Sequence, residues 1–536
     1  MKDFSFSACF GWLSSKALIC GILFLSCFFL FYNLGVYPLW DDEALIGLYG
    51  QNILKVGDTS VYFGENIIAY RGGILIQNGF DRALPPLSSY LAAGSFALFG
   101  ISALTARLPF ALITLCGIVL SVWLVKLQGQ MRQYGFFFFL SLLGCTPLFL
   151  FARQCRYYAL VMFLSLIIIY LLLASQRGTT HILWASIACS LLFASNCMNW
   201  GVLMAVLLVD FVGFRKYHKK PSLRDLAYFL IPQAILNLLL VSIWNPLVTP
   251  FGNYGESNGW RDRVELFFWN LRDLDAGGFM PVFFMILIPV IGCFMKDLWL
   301  IRGFIALLVY VFFVSMVSPQ VVSLTQVADI RYLVAILPLS IALHTRFFGK
   351  IANHWFWPAK GVLAVLILSS LPTASFLIHG IWRSYPFSFA RELIYPVPDP
   401  FTPSAEWIRK HVSRNSSVWI MPDYMAYPMM FDAPHAIYAW QLDPKQKFDP
   451  QFSRLPDIHF KGLAMPDYVI AFGPVVSQIR DLLEQWAAQG VRYREEARLM
   501  TFWKDLYRPE IFWRTFEPIE KYDPNTEAIY IYKREL

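Results

Sequence analysis

Three consecutive acids, Asp41, Asp42 and Glu43, follow Trp40 directly after the first membrane-length apolar segment of this 536-residue chain. A carboxylate is costly at the edge of hydrocarbon, and there it can act as general base on a hydroxyl or amine arriving from water. A plainer reading makes the acids the cap of a helix beginning near Ala44, where negative side chains suit the helix dipole. Arg71, Arg82, Arg107, Arg153 and Arg156 all fall on the same side of the membrane as these acids in the topology derived below. Several cations beside a carboxylate make a phosphate-binding surface. Arg153 and Arg156 are spaced to share a helix face, and with Tyr157 and Tyr158 they also suit interfacial anchoring.

The elements that must position these groups are membrane helices. The chain is 57% hydrophobic and 15% charged, and apolar runs recur from residue 17 to about residue 381. Runs such as Leu160 to Leu173 are apolar all round and of helix length, unlike the alternating strands of a membrane barrel. The expected class is an all-α polytopic membrane domain. The nine cysteines all precede residue 300, with no CxxC and no co-ligand histidine, and read as small buried hydrophobes. The first apolar run has no small-residue cleavage site before Tyr37 and reads as an uncleaved anchor.

Cytoplasmic loops accumulate Lys and Arg, so the cluster Arg215, Lys216, Lys219, Lys220 and Arg224 is placed inside. Counting outward gives about eleven transmembrane helices, at 17–36, 104–126, 135–151, 157–175, 181–196, 199–214, 226–248, 278–295, 299–318, 332–348 and 361–381. Pro85 to Ile101 is apolar enough for a further span, which would invert every later loop. It is read instead as an outer interfacial or re-entrant helix with the Pro pair in its first turn. The membrane domain then covers residues 1–381, with a first external loop at 37–103. Prolines punctuate 386–403, and a soluble α/β domain is expected over 382–536 on the outer side, with Thr402 or Ser404 capping a helix to His411. Strands are expected at 417–421, 468–472 and 528–532, and a helix at 476–488.

Trp40-Asp41-Asp42-Glu43-Ala44, Gly57-Asp58, Pro85-Pro86-Leu87, Phe99-Gly100 and Ala106-Arg107-Leu108-Pro109, in that order, resemble the N-terminal half of the protein O-mannosyltransferase and aminoarabinose (lipid A) transferase superfamily. The Arg-x-x-Arg-Tyr-x-x-Leu stretch from Arg153 to Leu160 is similar to the next block of its bacterial members, and Asp329-Ile330-Arg331-Tyr332-Leu333 to a motif before a late helix. The resemblance implies a GT-C fold and a glycosyltransferase. Such enzymes move a sugar from a polyprenyl-phosphate donor to a glycan, lipid or protein acceptor on the outer face of a bacterial inner membrane. It implies Asp42 as base with Glu43 beside it and Asp41 as the alternative. Arg82, Arg107, Arg153 and Arg156 are then the donor-phosphate ligands, and Tyr157, Arg71 and Arg331 line the substrate pocket. Two positions depart from the pattern, since Leu45 and Leu84 stand where the aminoarabinose transferases have an arginine and a lysine.

The chemistry expected is inverting transfer, with Asp42 deprotonating the acceptor and cations stabilising the departing phosphate. No cofactor is expected, although three adjacent carboxylates are chemically able to hold a divalent cation. Gly255 to Gly259 matches a Gly-x-Ser-x-Gly pattern without the preceding buried strand a hydrolase needs. Trp260 to Leu274 reads as a solvated surface helix, or one walling an acceptor cavity. The net charge of +8 is accounted for by inside loops, and no nucleic-acid patch stands out. A transporter or flippase would need charges buried mid-span, and an oligosaccharide ligase or metal-dependent oligosaccharyltransferase would need a diphosphate carrier.

Overall fold

The computed structural model describes residues 15–127, 131–173, 178–217, 222–244, 259–276, 282–319, 330–352, 385–396, 398–500 and 528–535. The membrane part opens with α1 (Ser15–Phe31) and α2 (Asp41–Val56). Short pairs β1 (Tyr62–Phe63) with β2 (Asn66–Ile67), and β3 (Ile76–Gln77) with β4 (Phe80–Asp81), follow. Then come α3 (Leu87–Phe99), α4 (Ala103–Leu127), α5 (Met131–Gly144), α6 (Thr146–Ala152), α7 (Tyr158–Leu173), α8 (Thr179–Ser195) and α9 (Cys197–Gly213). The helices α10 (Leu223–Ile243), α11 (Trp260–Ala276), α12 (Val282–Phe294), α13 (Leu298–Val317) and α14 (Leu337–Ala352) complete it.

Among the described residues four helices are long and apolar enough to cross a membrane, or five if the bent pair α5–α6 counts as one span. Shorter apolar helices correspond to further expected spans, and the expected span at 361–381 lies outside the described residues. Pro85 to Ile101 forms only the 13-residue α3. At 1.5 Å per residue that is about 20 Å, short of a hydrocarbon core of about 30 Å. The bend of 57° between α5 and α6 has a local cause. Pro147 has no N–H to continue the ladder, and Cys145 leaves helical geometry with ψ 64°. In the expected surface helix α11, Leu266, Asn270 and Leu274 are buried, and Asn270 donates to Ser315 Oγ at 2.8 Å, so one face belongs to the core. The described cysteines are free, and Cys20, Cys27, Cys116 and Cys293 lie on the outer faces of apolar helices rather than in the interior expected of them.

After α15 (Tyr385–Ile394) and α16 (Phe401–His411) comes a mixed five-stranded sheet. Its strands are β5 (Ser417–Met421), β6 (Ile437–Tyr438), β7 (Tyr468–Phe472), β8 (Tyr493–Met500) and β9 (Ala528–Arg534), in the order β6-β5-β7-β9-β8. Helices α17 (Ala426–Asp432) and α18 (Val476–Ala488) connect its strands. The first three strands are parallel and the last two add antiparallel. α16 starts earlier than expected and its cap is neither Thr402 nor Ser404. Asp399 takes the Thr402 N–H at 2.6 Å and its hydroxyl at 2.8 Å, the stronger charged acceptor. The sequence pattern does not reveal β6 and β8, because β6 is two residues long and β8 alternates charged residues on an exposed edge.

This sheet unit is not a bead on a string. The side chain of Asn66 brackets its backbone, donating to Ala436 O at 2.9 Å and accepting from Tyr438 N at 2.7 Å. Tyr62 and Gly79 donate to Gln451, and Asp443 N donates to Gly72 O. α17 packs along α2, where a β-carbon on Gly47 would stand 2.9 Å from Phe431 and 3.0 Å from Leu39. A Gly47→Val substitution is therefore expected to cost about 1–3 kcal/mol by overpacking. It should also speed proteolysis of the 398–500 region, read by limited digestion and thermal unfolding in detergent; unchanged digestion would show that α17 does not hold the sheet unit on α2.

Candidate active site

Successive positions on a helix point about 100° apart, so the three acids that start α2 have three different neighbourhoods. Glu43 is fully buried and faces α4. Its Oε1 accepts Arg107 Nε at 2.9 Å and Cys155 N at 2.7 Å, and its Oε2 accepts Arg107 Nη2 at 2.6 Å. It also leans back to Trp40 N at 3.5 Å, the reciprocal half of a capping box. Arg107 spends its remaining donors on Leu34 O, Tyr37 O and Pro38 O, at 3.1, 2.7 and 2.8 Å. All five N–H groups of that guanidinium are committed. Arg107, expected as a phosphate ligand, thus has no donor left for one.

Asp42 faces the break between α6 and α7. Its Oδ2 accepts Arg156 Nη2 at 2.9 Å and Arg331 Nη1 at 3.1 Å. The break places Arg156 because its turn carries no helical ladder, which also leaves Cys155 N for Glu43. The Arg156 guanidinium lies 5.4 Å from the Tyr157 ring and 5.8 Å from the Tyr158 ring. Arg331 comes from a 3-10 segment (Ile330–Ile336) ahead of α14, and its Nη2 approaches the Tyr332 hydroxyl at 3.4 Å. Asp42, Arg156, Arg331 and Tyr157 are therefore brought together. Asp329, preceding Arg331, lies outside the described residues. Asp41 turns toward the sheet unit, where burial and then the Asp41 charge push the Tyr427 phenol well above its ordinary value. Among the described residues no three His, Cys, Asp or Glu side chains converge on a cation position, because the acids diverge around the helix.

The other arginines sit elsewhere. Arg153 caps the end of α1, donating to Phe29 O, Leu30 O and Asn33 O at 3.0–3.1 Å, as cations suit a helix C-terminus. Arg82 forks onto both Asp58 oxygens at 2.7 Å and stacks between Phe80 and Trp244. The Asp58 carboxyl is held below its ordinary range by that guanidinium. Arg71 has a left-handed φ of 54° and lies over the Tyr70 ring, next to the Gly72 contact with the sheet unit. Sequence reasoning missed Asp58 as the partner of Arg82, and Tyr427; the Gly57-Asp58 pair was the available signal for the first, and Tyr427 carried none.

A cavity of about 650 Å³ among the helices is lined by Met162, Phe163 and Leu166 of α7 and by Tyr310, Ala335 and Ile336; Asp42, Arg156 and Arg331 do not line it. Tyr310 fixes its outer wall, donating to Asn199 and to Tyr332 O, one residue from Arg331. The far end carries Asp210 paired with Arg302 at 2.7 Å.

The fold carries across to known structures. ArnT from Cupriavidus metallidurans bound to undecaprenyl phosphate aligns over 97% of this chain and 98% of that one, with TM-score 0.54 and 12% identity. The same protein in the apo state aligns over 98% of both chains, with TM-score 0.54 and 13% identity. The chain has the GT-C fold. By sequence, no family model and no curated protein matches it.

The two ion pairs of α2 differ in what their loss should cost. Arg107→Met leaves Glu43 charged and buried, at an expected cost of about 3–5 kcal/mol. Asp42→Asn, whose site is 15% exposed rather than fully buried, should cost less than Arg107→Met; thermal unfolding of both variants compares them. Glu392 of α15 lies near Tyr37 and Arg153, and burial pushes its carboxyl from 4.5 up to about 8. The neutral acid is the form the fold accepts, so its contribution is intact below pH 4.5 and lost as pH rises through 8. Glu392→Gln should gain stability on wild type as pH is raised from about 5 to about 9, and a pH-independent difference would refute the assignment.

Proposed function

We propose that this protein is an inverting glycosyltransferase that moves a sugar from a polyprenyl-phosphate donor to an acceptor at the outer face of the membrane. The observation that supports it is the Asp42 carboxylate beside Arg156 and Arg331, set at the ends of apolar helices. A base and two cations at one spot supply what the reaction needs. Asp42 takes the proton of an acceptor hydroxyl or amine, whose freed lone pair attacks the anomeric carbon. The bond from that carbon to the phosphate oxygen breaks on the opposite side, and its electron pair stays on the phosphate, held by the guanidiniums. Configuration at the sugar inverts.

The largely apolar lining of the cavity among the helices, Met162, Phe163, Leu166, Ala335 and Ile336 among it, suits part of the donor's isoprenoid chain. Tyr157 stands beside Arg156. In this reading eleven helices span a bacterial inner membrane, the first entering from the cytoplasm, with Asp42 and the sheet unit in the periplasm. Arg107, Glu43, Arg153 and Arg82 hold the scaffold of the site, and the acceptor approaches along Asp41, Tyr427 and Arg71. The GT-C fold supports the class of reaction; the sugar and acceptor are open to assay.

The deciding experiment is transfer from a panel of radiolabelled polyprenyl-phosphate sugars into envelope acceptors, by purified wild type and variants, with and without chelator. Transfer should survive chelation and fall about 10²–10⁴-fold in Asp42→Asn, with comparable losses in Arg156→Ala and Arg331→Ala. Undiminished transfer by Asp42→Asn would remove Asp42 as the base, and loss of transfer on chelation would favour a metal-dependent oligosaccharyltransferase.

A further inference from the structure

Two neighbouring acids on one helical turn hold their arginines in opposite ways. Glu43 and Arg107 are saturated, with two parallel N–H bonds between them and every other guanidinium donor on a carbonyl. Asp42 instead draws two guanidiniums onto a single oxygen, Oδ2. The second contact of Arg156 is the Asp42 carbonyl at 3.5 Å, the outer limit of a hydrogen bond. Its buried Nε finds no acceptor among the described residues. One carboxylate oxygen is a poor match for such a fork, whereas a phosphate group offers several oxygens at tetrahedral spacing.

Transfer itself keeps the balance: the phosphodiester becomes a monoester and gains a second negative charge, while Asp42 has taken up the acceptor proton.

We propose that Asp42 is a built-in competitor for the donor phosphate. In the unloaded protein it occupies Arg156 and Arg331; a bound phosphate takes both guanidiniums over, and only then is Asp42 Oδ2 released to accept a proton. The base is masked until the donor is in place, and binding is ordered, donor before acceptor. This rests on the reading of Arg156 and Arg331 as phosphate ligands.

The test is binding of geranylgeranyl phosphate to the full-length protein in detergent, with geranylgeraniol as the uncharged control. Asp42→Asn and Asp42→Ser, checked for folding by gel filtration and thermal midpoint, should each bind the phosphate about tenfold more tightly than wild type. Neither should change affinity for the alcohol, and adding Arg156→Ala should abolish the gain. Equal or weaker phosphate binding in both single variants would overturn the competition and leave the arginines as phosphate ligands. Phosphate binding no tighter than alcohol binding in wild type and variants alike would overturn the donor reading itself.

Discussion

The structure depends on a buried ion pair that takes no part in the proposed chemistry. Glu43 and Arg107 together tie the start of α2 to α4, to the carbonyls after α1 and to the broken helix at Cys155. A charge pair out of water is retained only where its geometry is complete, and in this pair every guanidinium hydrogen has an acceptor. The consequence for its neighbour is positional. With Glu43 fixed toward α4, helical geometry leaves Asp42 no direction but the α6–α7 break, where Arg156 emerges. One carboxylate is immobilised so that the next stands in a defined place.

The sheet unit takes part in the same arrangement. α17 lies against the face of α2 made thin by Gly47, and Asn66, Tyr62 and Gly79 fasten the first loop to the sheet's connecting segments. The helix bearing the three acids is thus clamped between membrane helices on one side and an α/β layer on the other. The Asp41 charge acts on Tyr427 across that seam, so the sheet unit borders the acids rather than standing as a separate module.

Much of this architecture is legible in the sequence, and the reasons for the misses are physical. Apolar runs report helices directly. The acids at 41–43 support two readings, cap and catalyst, and the cap reading holds for Glu43 through its bond toward Trp40 N. The arginines are harder, because a sequence shows a cation and not its partner. Arg107, Arg153 and Arg82 all look available on paper, and each is committed, to Glu43, to helix-end carbonyls and to Asp58. Arg331, almost three hundred residues from Asp42 in sequence, reaches it only because the 3-10 segment before α14 packs on α7.

The two departures from the superfamily pattern now have a physical context. Leu45, at the position of an expected arginine, is 1% exposed and belongs to the apolar core around α2. Leu84, at the position of an expected lysine, packs against the same core. With leucine at both positions the positive charge must come from elsewhere, and Arg156 with Arg331 provides it beside Asp42. Cations carried on α2 and the first loop could contact phosphate without touching the base. Cations placed opposite it necessarily pair with it when no phosphate is present, since an uncompensated carboxylate between two guanidiniums would be a higher-energy arrangement than the bridge. In the proposed reading, moving the positive charge across the site couples the base to the donor through where the arginines are anchored.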